Sequence, residues 1–427
     1  MQVLPSTNWY QSLTVLIIQD FGSLKYLFPS SVAVNFVQLH RITISKCKMM
    51  EEIVTMDQRM DKLLLPRLKY LELKDLAKVT RFCSGTFLEL PLLTDLEILD
   101  CPQFLTCSSI SLSTDMPENN LCTYTLSLFN DKVAVPSLEK MDVRNLDNMK
   151  MIWQDGVFAD CLCKLKVVEV KYCKNLEKMF SFSDEVLYGT IFSDLEELQL
   201  LELPNLLRLL EENSQSTNAF QRLEMLQVLR CCSLKSLAPS AISFQNLTYL
   251  VVSKCDGMVN LLSFSTAKSL AQLRVMIVTG CNRMTEIIAK EGGEIIFNQL
   301  EILVLHGLPS LKSFHSGIVR FPQLKEMIVS DCPEMQSFCY DAFTPNLDRI
   351  ITMLGYQNYF DRISHSIPVW QLEKLFIYNF VKPEQELWGG DINSTLQEVW
   401  KNDPGVALQR LFSEQEGYYL EDYDKYS

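Results

Sequence analysis

Apolar and polar residues along the chain keep restating one frame. The stretches "LEKMDVRNLDNMKMIW" (138–153), "LKVVEVKYCKNLEKMF" (165–180) and "LTYLVVSKCDGMVNLL" (247–262) share the spacing L-x-x-φ-x-φ-x-x-C/L-x-x-φ, with φ apolar. Leading leucines fit at Leu13, Leu39, Leu68, Leu93, Leu138, Leu165, Leu195, Leu223, Leu247, Leu273, Leu300, Leu324 and Leu372. Three residues after each stands Leu, Ile, Val or Met, and two further on comes another aliphatic residue, Ile18 through Ile377. Three residues before, the position is again apolar, and aromatic at Tyr10, Phe36, Phe192, Phe220, Phe244, Phe297 and Phe321.

In φ-x-φ the two apolar side chains share one face of a short strand. One such strand cannot bury that face alone, so the frame predicts coils stacked in parallel, each covering its neighbour. Spacings are 24–30 residues except at two places. Leu324 to Leu372 spans 48 residues, which predicts a degenerate coil at about 345–368 near Leu347 and Ile350. Leu93 to Leu138 spans 45, and the Ser-, Thr- and Asn-rich surplus predicts an inserted surface loop at about 106–131.

The period is that of leucine-rich repeats. The expected fold class is α/β: a curved horseshoe of about fourteen coils, with a parallel β-sheet on the concave face and an irregular or short-helical convex side. The array is expected over 1–383. Within "DINSTLQEVW" a cap at Asn393 or Ser394, followed by Leu396, Val399 and Trp400 on one side, predicts a C-terminal helical cap at 384–412. The acidic, Tyr-rich residues 413–427 are expected to be a disordered tail.

Three residues past each predicted strand lies a further column, holding Cys47, Cys101, Cys173, Cys231, Cys255, Cys281 and Cys332, seven of the chain's 14 cysteines. Leu and Phe fill the same column elsewhere, as at Leu76 and Phe21. Neither can ligate a metal, so the column is expected to be a small buried hydrophobe whose S–H meets a carbonyl as the chain turns.

Composition narrows the function. The net charge of −13 argues against a nucleic-acid or anionic-membrane surface as the main role. No apolar run approaches a membrane-spanning length, and the start of the chain lacks a signal-peptide pattern, so a cytoplasmic protein is expected. The histidines His40, His306, His315 and His365 belong to no metal or nucleophile motif, and no phosphate-binding loop is present. The chain is expected to be no enzyme and to need no cofactor or metal.

Function should then sit on the strand residues that face away from the core. The central outward position reads Ile17, Thr43, Glu72, Glu97, Asp142, Glu169, Gln199, Gln227, Val251, Ile277, Val304, Ile328 and Phe376. Its last five members are apolar. With Tyr249, Val275 and Ile302 beside them, they form an expected partner-binding stripe on the concave face. The same residues would also arise if β-branched side chains were there only because exposed strands favour them, or if the C-terminal segment folded back over the stripe.

The frame, with "LKYLFPSSVA" (24–33), "CKMMEEIV" (47–54), "LFNDKVAVPSLEKMDVRNLDNMKMIW" (128–153) and "LWGGDINSTLQ" (387–397), resembles the leucine-rich-repeat region of plant intracellular disease resistance proteins of the coiled-coil, nucleotide-binding class. That resemblance implies a recognition scaffold in innate immunity. Its partner would be a pathogen effector, a host guard protein or a nucleotide-binding immune-receptor domain, with no nucleic acid and no membrane insertion. The nucleotide-binding switch of that class has no counterpart in this sequence. The alternatives are an adaptor recruiting substrates to a ubiquitin ligase, or a non-functional receptor remnant.

Overall fold

The computed structural model describes residues 8–351 apart from 57–60, 85–86, 110–126, 155–162, 181–191, 210–219, 238–241, 290–292, 336, 340 and 344–348. The chain divides into two compact units, Met1–Leu250 and Val251–Ser427. Every repeat frame in the described residues becomes a five-residue parallel strand, or rung.

In the first unit the rungs Val15–Gln19, Arg41–Ser45, Tyr70–Lys74, Asp95–Leu99, Lys140–Arg144, Val167–Lys171, Glu197–Leu201 and Met225–Leu229 pair in sequence order and in matching register. The second and fourth residues of each point inward. Leu71, Leu73, Val168 and Val170 are all at most 2% exposed. Removing a Leu or Val side chain from water contributes roughly 1.5–3 kcal/mol, so the inward pairs of neighbouring rungs hold the stack together. The aromatic column forms a spine: Phe192 stacks on Phe220 at 6.0 Å, and Phe220 on Phe244 at 5.9 Å.

The second unit repeats the plan with Val275–Thr279, Ile302–His306, Glu326–Ser330 and Arg349–Ile351. The last of these is a rung formed near Leu347. Tyr249–Ser253 is the rung at which the two units divide. Here the spine continues in Phe297 on Phe321 at 5.5 Å.

A corner that the repeat frame does not include follows each rung. The next residue adopts positive φ at Asp20, Lys46, Asp75, Asp100, Asn145, Tyr172, Glu202, Arg230, Lys254, Gly280, Gly307 and Asp331. Left-handed backbone suits Gly, Asn and Asp best. It aims the corner amide at the following coil: Asp75 N–H donates to the Leu99 carbonyl, and Asp100 N–H to that of Arg144, each at 3.0 Å. The cysteine column comes one residue later. Cys47, Cys101 and Cys173 donate Sγ–H to the carbonyl two residues back at 3.3–3.4 Å, as the sequence predicts.

The remaining sides of the coils depart from expectation. Instead of irregular or short-helical chain, they carry further short parallel ladders. One joins Phe28–Pro29, Glu52–Thr55, Arg81–Ser84 and Thr106–Ser109, and another joins Ser127–Phe129, Met151–Trp153 and Lys178–Phe180. Among the described residues the α-helices are only Ser30–Ala33 and Phe264–Ser269. Pairs such as Ile53-Val54 and Phe82-Cys83 are buried together there, so β-branched and aromatic residues favour strand at these sites.

The span expected as an inserted loop begins and ends in these ladders, and 110–126 lies outside the described residues. Asn130 ties its ends together, donating Nδ2–H to the Ser108 carbonyl at 2.7 Å while its Oδ1 accepts from Lys132 N–H at 3.0 Å. The expected cap at 384–412 and the tail also lie outside the described residues.

Candidate partner-binding face

Strand alternation turns the first, third and fifth residues of each rung away from the core. In the first unit the third position aligns Thr43, Glu72, Glu97, Asp142, Glu169, Gln199 and Gln227, each opposite the next. Four carboxylates thus stand on successive rungs about 4.8 Å apart. Like charges at that spacing repel. The flanking positions answer the repulsion.

Arg41 lies over the Tyr70 ring at 4.0 Å and reaches Glu72 Oε2 at 3.8 Å. Tyr70 O–H donates to the same carboxylate oxygen at 3.2 Å. Burial, followed by Glu97 and Glu72, pushes the Tyr70 phenol well above its ordinary range, so it remains a donor. Arg144 grips Asp142 with both faces of its fork, Nε to Oδ1 at 2.9 Å and Nη2 to Oδ2 at 2.5 Å, and approaches Glu169 at 3.7 Å. Lys171 pairs with the same Glu169 oxygen, Oε2. The Asp142 hydrogen bond leads in raising the Arg144 guanidinium. Glu197 is also raised, by burial and then by Glu169. The row is therefore a fixed set of donors and acceptors rather than loose charge. Glu72, Glu97, Glu169, Gln199 and Gln227 remain half-buried.

The expected apolar stripe takes a different form. Ile277, Val304 and Ile328 do align in register, and Val251 holds the same position of its own rung. They are not open to solvent. Val251 is 6% exposed, Ile277 4%, Val304 0% and Ile328 3%, with Val275 also buried. Tyr249 and Ile302 are half-buried, and Phe376 lies outside the described residues. The Val275–Thr279 rung is buried at all five positions, so both of its faces are covered. At Val251, Val275, Ile277, Val304 and Ile328 the stripe is thus buried rather than exposed, while Tyr249 and Ile302 keep some exposure.

Beside the sealed row runs a polar one. Thr279 Oγ1–H donates to Ser253 Oγ at 2.8 Å, and His306 Nδ1 stands 3.6 Å from Asp331 Oδ2. Burial lowers the His306 pKa, and Asp331 opposes that shift.

Three members of the cysteine column are poor nucleophiles. Burial pushes Cys101, Cys173 and Cys332 up to about 12, where the reactive thiolate is scarce. Among the described residues no cluster of His, Cys, Asp and Glu could hold a metal ion, and no helix is long and apolar enough to cross a membrane.

The family model for plant disease resistance protein RPS2-like leucine-rich repeats matches residues 1–121, 106–188 and 238–353, more than half of the chain. The chain belongs to that family. Disease resistance protein SUMM2 of Arabidopsis thaliana is 26% identical over 154 residues, which is 35% of this chain and 17% of that protein. Probable disease resistance protein At1g61190, from the same plant, is 34% identical over 110 residues, or 24% of this chain and 11% of its own length. The chain thus spans less than a fifth of these relatives. Among solved structures, the plant peptide hormone receptor RGFR1 in complex with RGF2 aligns over 81% of this chain and 68% of that one, at 13% identity and a TM-score of 0.23, too low to bear on the site.

Proposed function

We propose that this leucine-rich-repeat region is a non-enzymatic recognition scaffold for plant defence. It binds a pathogen effector, a host guard protein or a nucleotide-binding immune-receptor domain in the cytoplasm. The supporting observation is the in-register polar row Glu72–Gln227, in which Glu72, Asp142 and Glu169 are held by ion pairs and every member but Asp142 keeps some exposure. Pre-organised groups lose less entropy on contact, so such a row favours a specific protein partner. The apolar residues Tyr249, Val251, Val275, Ile277, Ile302, Val304 and Ile328 are assigned to the partner surface from the sequence frame, with Tyr249 and Ile302 the partly exposed members. Phe376 is assigned to the same surface from the sequence frame alone.

Proximity labelling in plant tissue tests this. A chain carrying Glu97→Lys and Gln199→Lys should keep its circular dichroism spectrum and lose specific neighbours that the unsubstituted chain labels. Identical neighbour sets from both chains would overturn the assignment.

A further inference from the structure

The rung Val15–Gln19 is the terminal strand of its sheet, with Arg41–Ser45 as its one neighbour among the described strands. A terminal strand leaves alternate N–H and C=O groups aimed away from its neighbour, where another strand can pair with them.

The repeat frame is also uncovered at this end. In every later rung of the first unit, from Ile42 and Ile44 to Leu226 and Val228, the second and fourth residues are at most 2% exposed. Leu16 and Ile18 hold the same positions of the first rung and are only half-buried. Phe21 is 54% exposed, although its column keeps Cys47 and Leu76 at 0%. On the outward face Val15 is 46% exposed and Ile17 61%. With Tyr26 and Val37, half of the exposed large apolar side chains among the described residues lie within 15–37.

Natural edge strands are commonly guarded by charged residues or proline. The strand "VLIIQ" carries neither. Turned end for end, it is complementary to itself. An antiparallel copy centred on Ile17 sets Leu16 opposite Ile18 on the inward face and Val15 opposite Gln19 on the outward one. Asp20, just beyond the strand, falls opposite Thr14, so no like charges meet. This matching favours a second copy of the chain over an unrelated strand.

We propose that Val15–Gln19 is a self-association edge, through which two copies pair antiparallel about Ile17 and each covers the open end of the other's stack.

Cysteine scanning on the full chain tests it. Ile17→Cys should form an intermolecular disulfide under copper–phenanthroline oxidation, because position 17 meets itself at the two-fold axis. Val15→Cys should not, since its twin lies roughly 13 Å further along the pair, out of disulfide range. Mixing Val15→Cys with Gln19→Cys should restore the link. Peptide mapping separates these products from any made by the exposed Cys232. Sedimentation of the unsubstituted chain should show a dimer. Ile17→Lys should weaken it by about tenfold or more, because two like charges then face each other at its centre. The dichroism spectrum should hold, as Ile17 is already exposed. A monomer at every concentration, which would leave the edge to a different protein, overturns the proposal. So does open-ended oligomer growth, a dimer indifferent to Ile17→Lys, or equal self-linking from Val15→Cys. None of these substitutions touches the Glu97 and Gln199 row, so the outcomes are separable from those of the partner assignment.

Discussion

Asn145 donates its side-chain Nδ2–H to Oδ1 of Asp100, although 45 residues of chain separate them. Both occupy left-handed corners, at φ 53° and 56°, and the rungs that precede them are directly paired. The bond clamps two coils at the point where the repeat is longest.

Asn145→Val should therefore destabilise the first unit by about 2–3 kcal/mol. A β-branched residue at left-handed φ costs roughly 1–2 kcal/mol, and the lost hydrogen bond adds about 1. Asn145→Gly should lose only the bond. Urea denaturation of the two variants should rank them in that order.

Burial of His306 makes the second unit sensitive to acid. The folded-state pKa lies below the ordinary 6.5, so the unfolded chain takes up the proton first. The associated stability is present above pH 6.5 and is lost as pH falls from there through the lower folded value. His306→Gln should lose less stability between pH 7.5 and 5.5 than the unsubstituted chain, measured by urea midpoint.

His315 is fully buried, and among the described residues neither Nδ1 nor Nε2 has a hydrogen-bond partner. Its ring stacks on Phe264 at 5.9 Å. Leaving buried polar atoms unsatisfied costs about 1–3 kcal/mol, whereas an apolar side chain of similar size carries no such cost. His315→Leu should raise the melting temperature, read by calorimetry.

Cysteine labelling should separate column from surface. Cys232 is exposed, while Cys47, Cys101 and Cys173 are buried. With Cys101 and Cys173 pushed to about 12, roughly one thiol in 10⁴ is ionised at pH 8. Mass spectrometry after brief iodoacetamide treatment should find Cys232 alkylated first, and the column only after denaturation.

The inward architecture is legible in the sequence because one constraint sets it. A period of two within a fixed repeat leaves few faces on which Leu71 and Leu73 could point. The same logic identifies the cysteine column from the free exchange of Cys101 with Leu76. The left-handed corner is also written in the chain, since Asp20, Asp75, Asp100, Asn145, Gly280, Gly307 and Asp331 all stand directly after their rungs. Lys46, Tyr172 and Arg230 share the position and blur that signal. Short ladders such as Met151–Trp153 are hidden because three residues are too few to display a period. Burial at Ile277 and Val304 is hidden for a different reason. A local pattern says which way a side chain points and not how much of it is covered.

The insertion before Leu138 bears on how such a molecule can change. Asp95–Leu99 and Lys140–Arg144 meet residue for residue despite it, and Asn130 fastens the excursion at its base. The extra residues between Thr106–Ser109 and Ser127–Phe129 leave the pairing of the two rungs intact. A chain organised this way can gain or lose residues between its short ladders while the register of its rungs, and so its interior, stays the same.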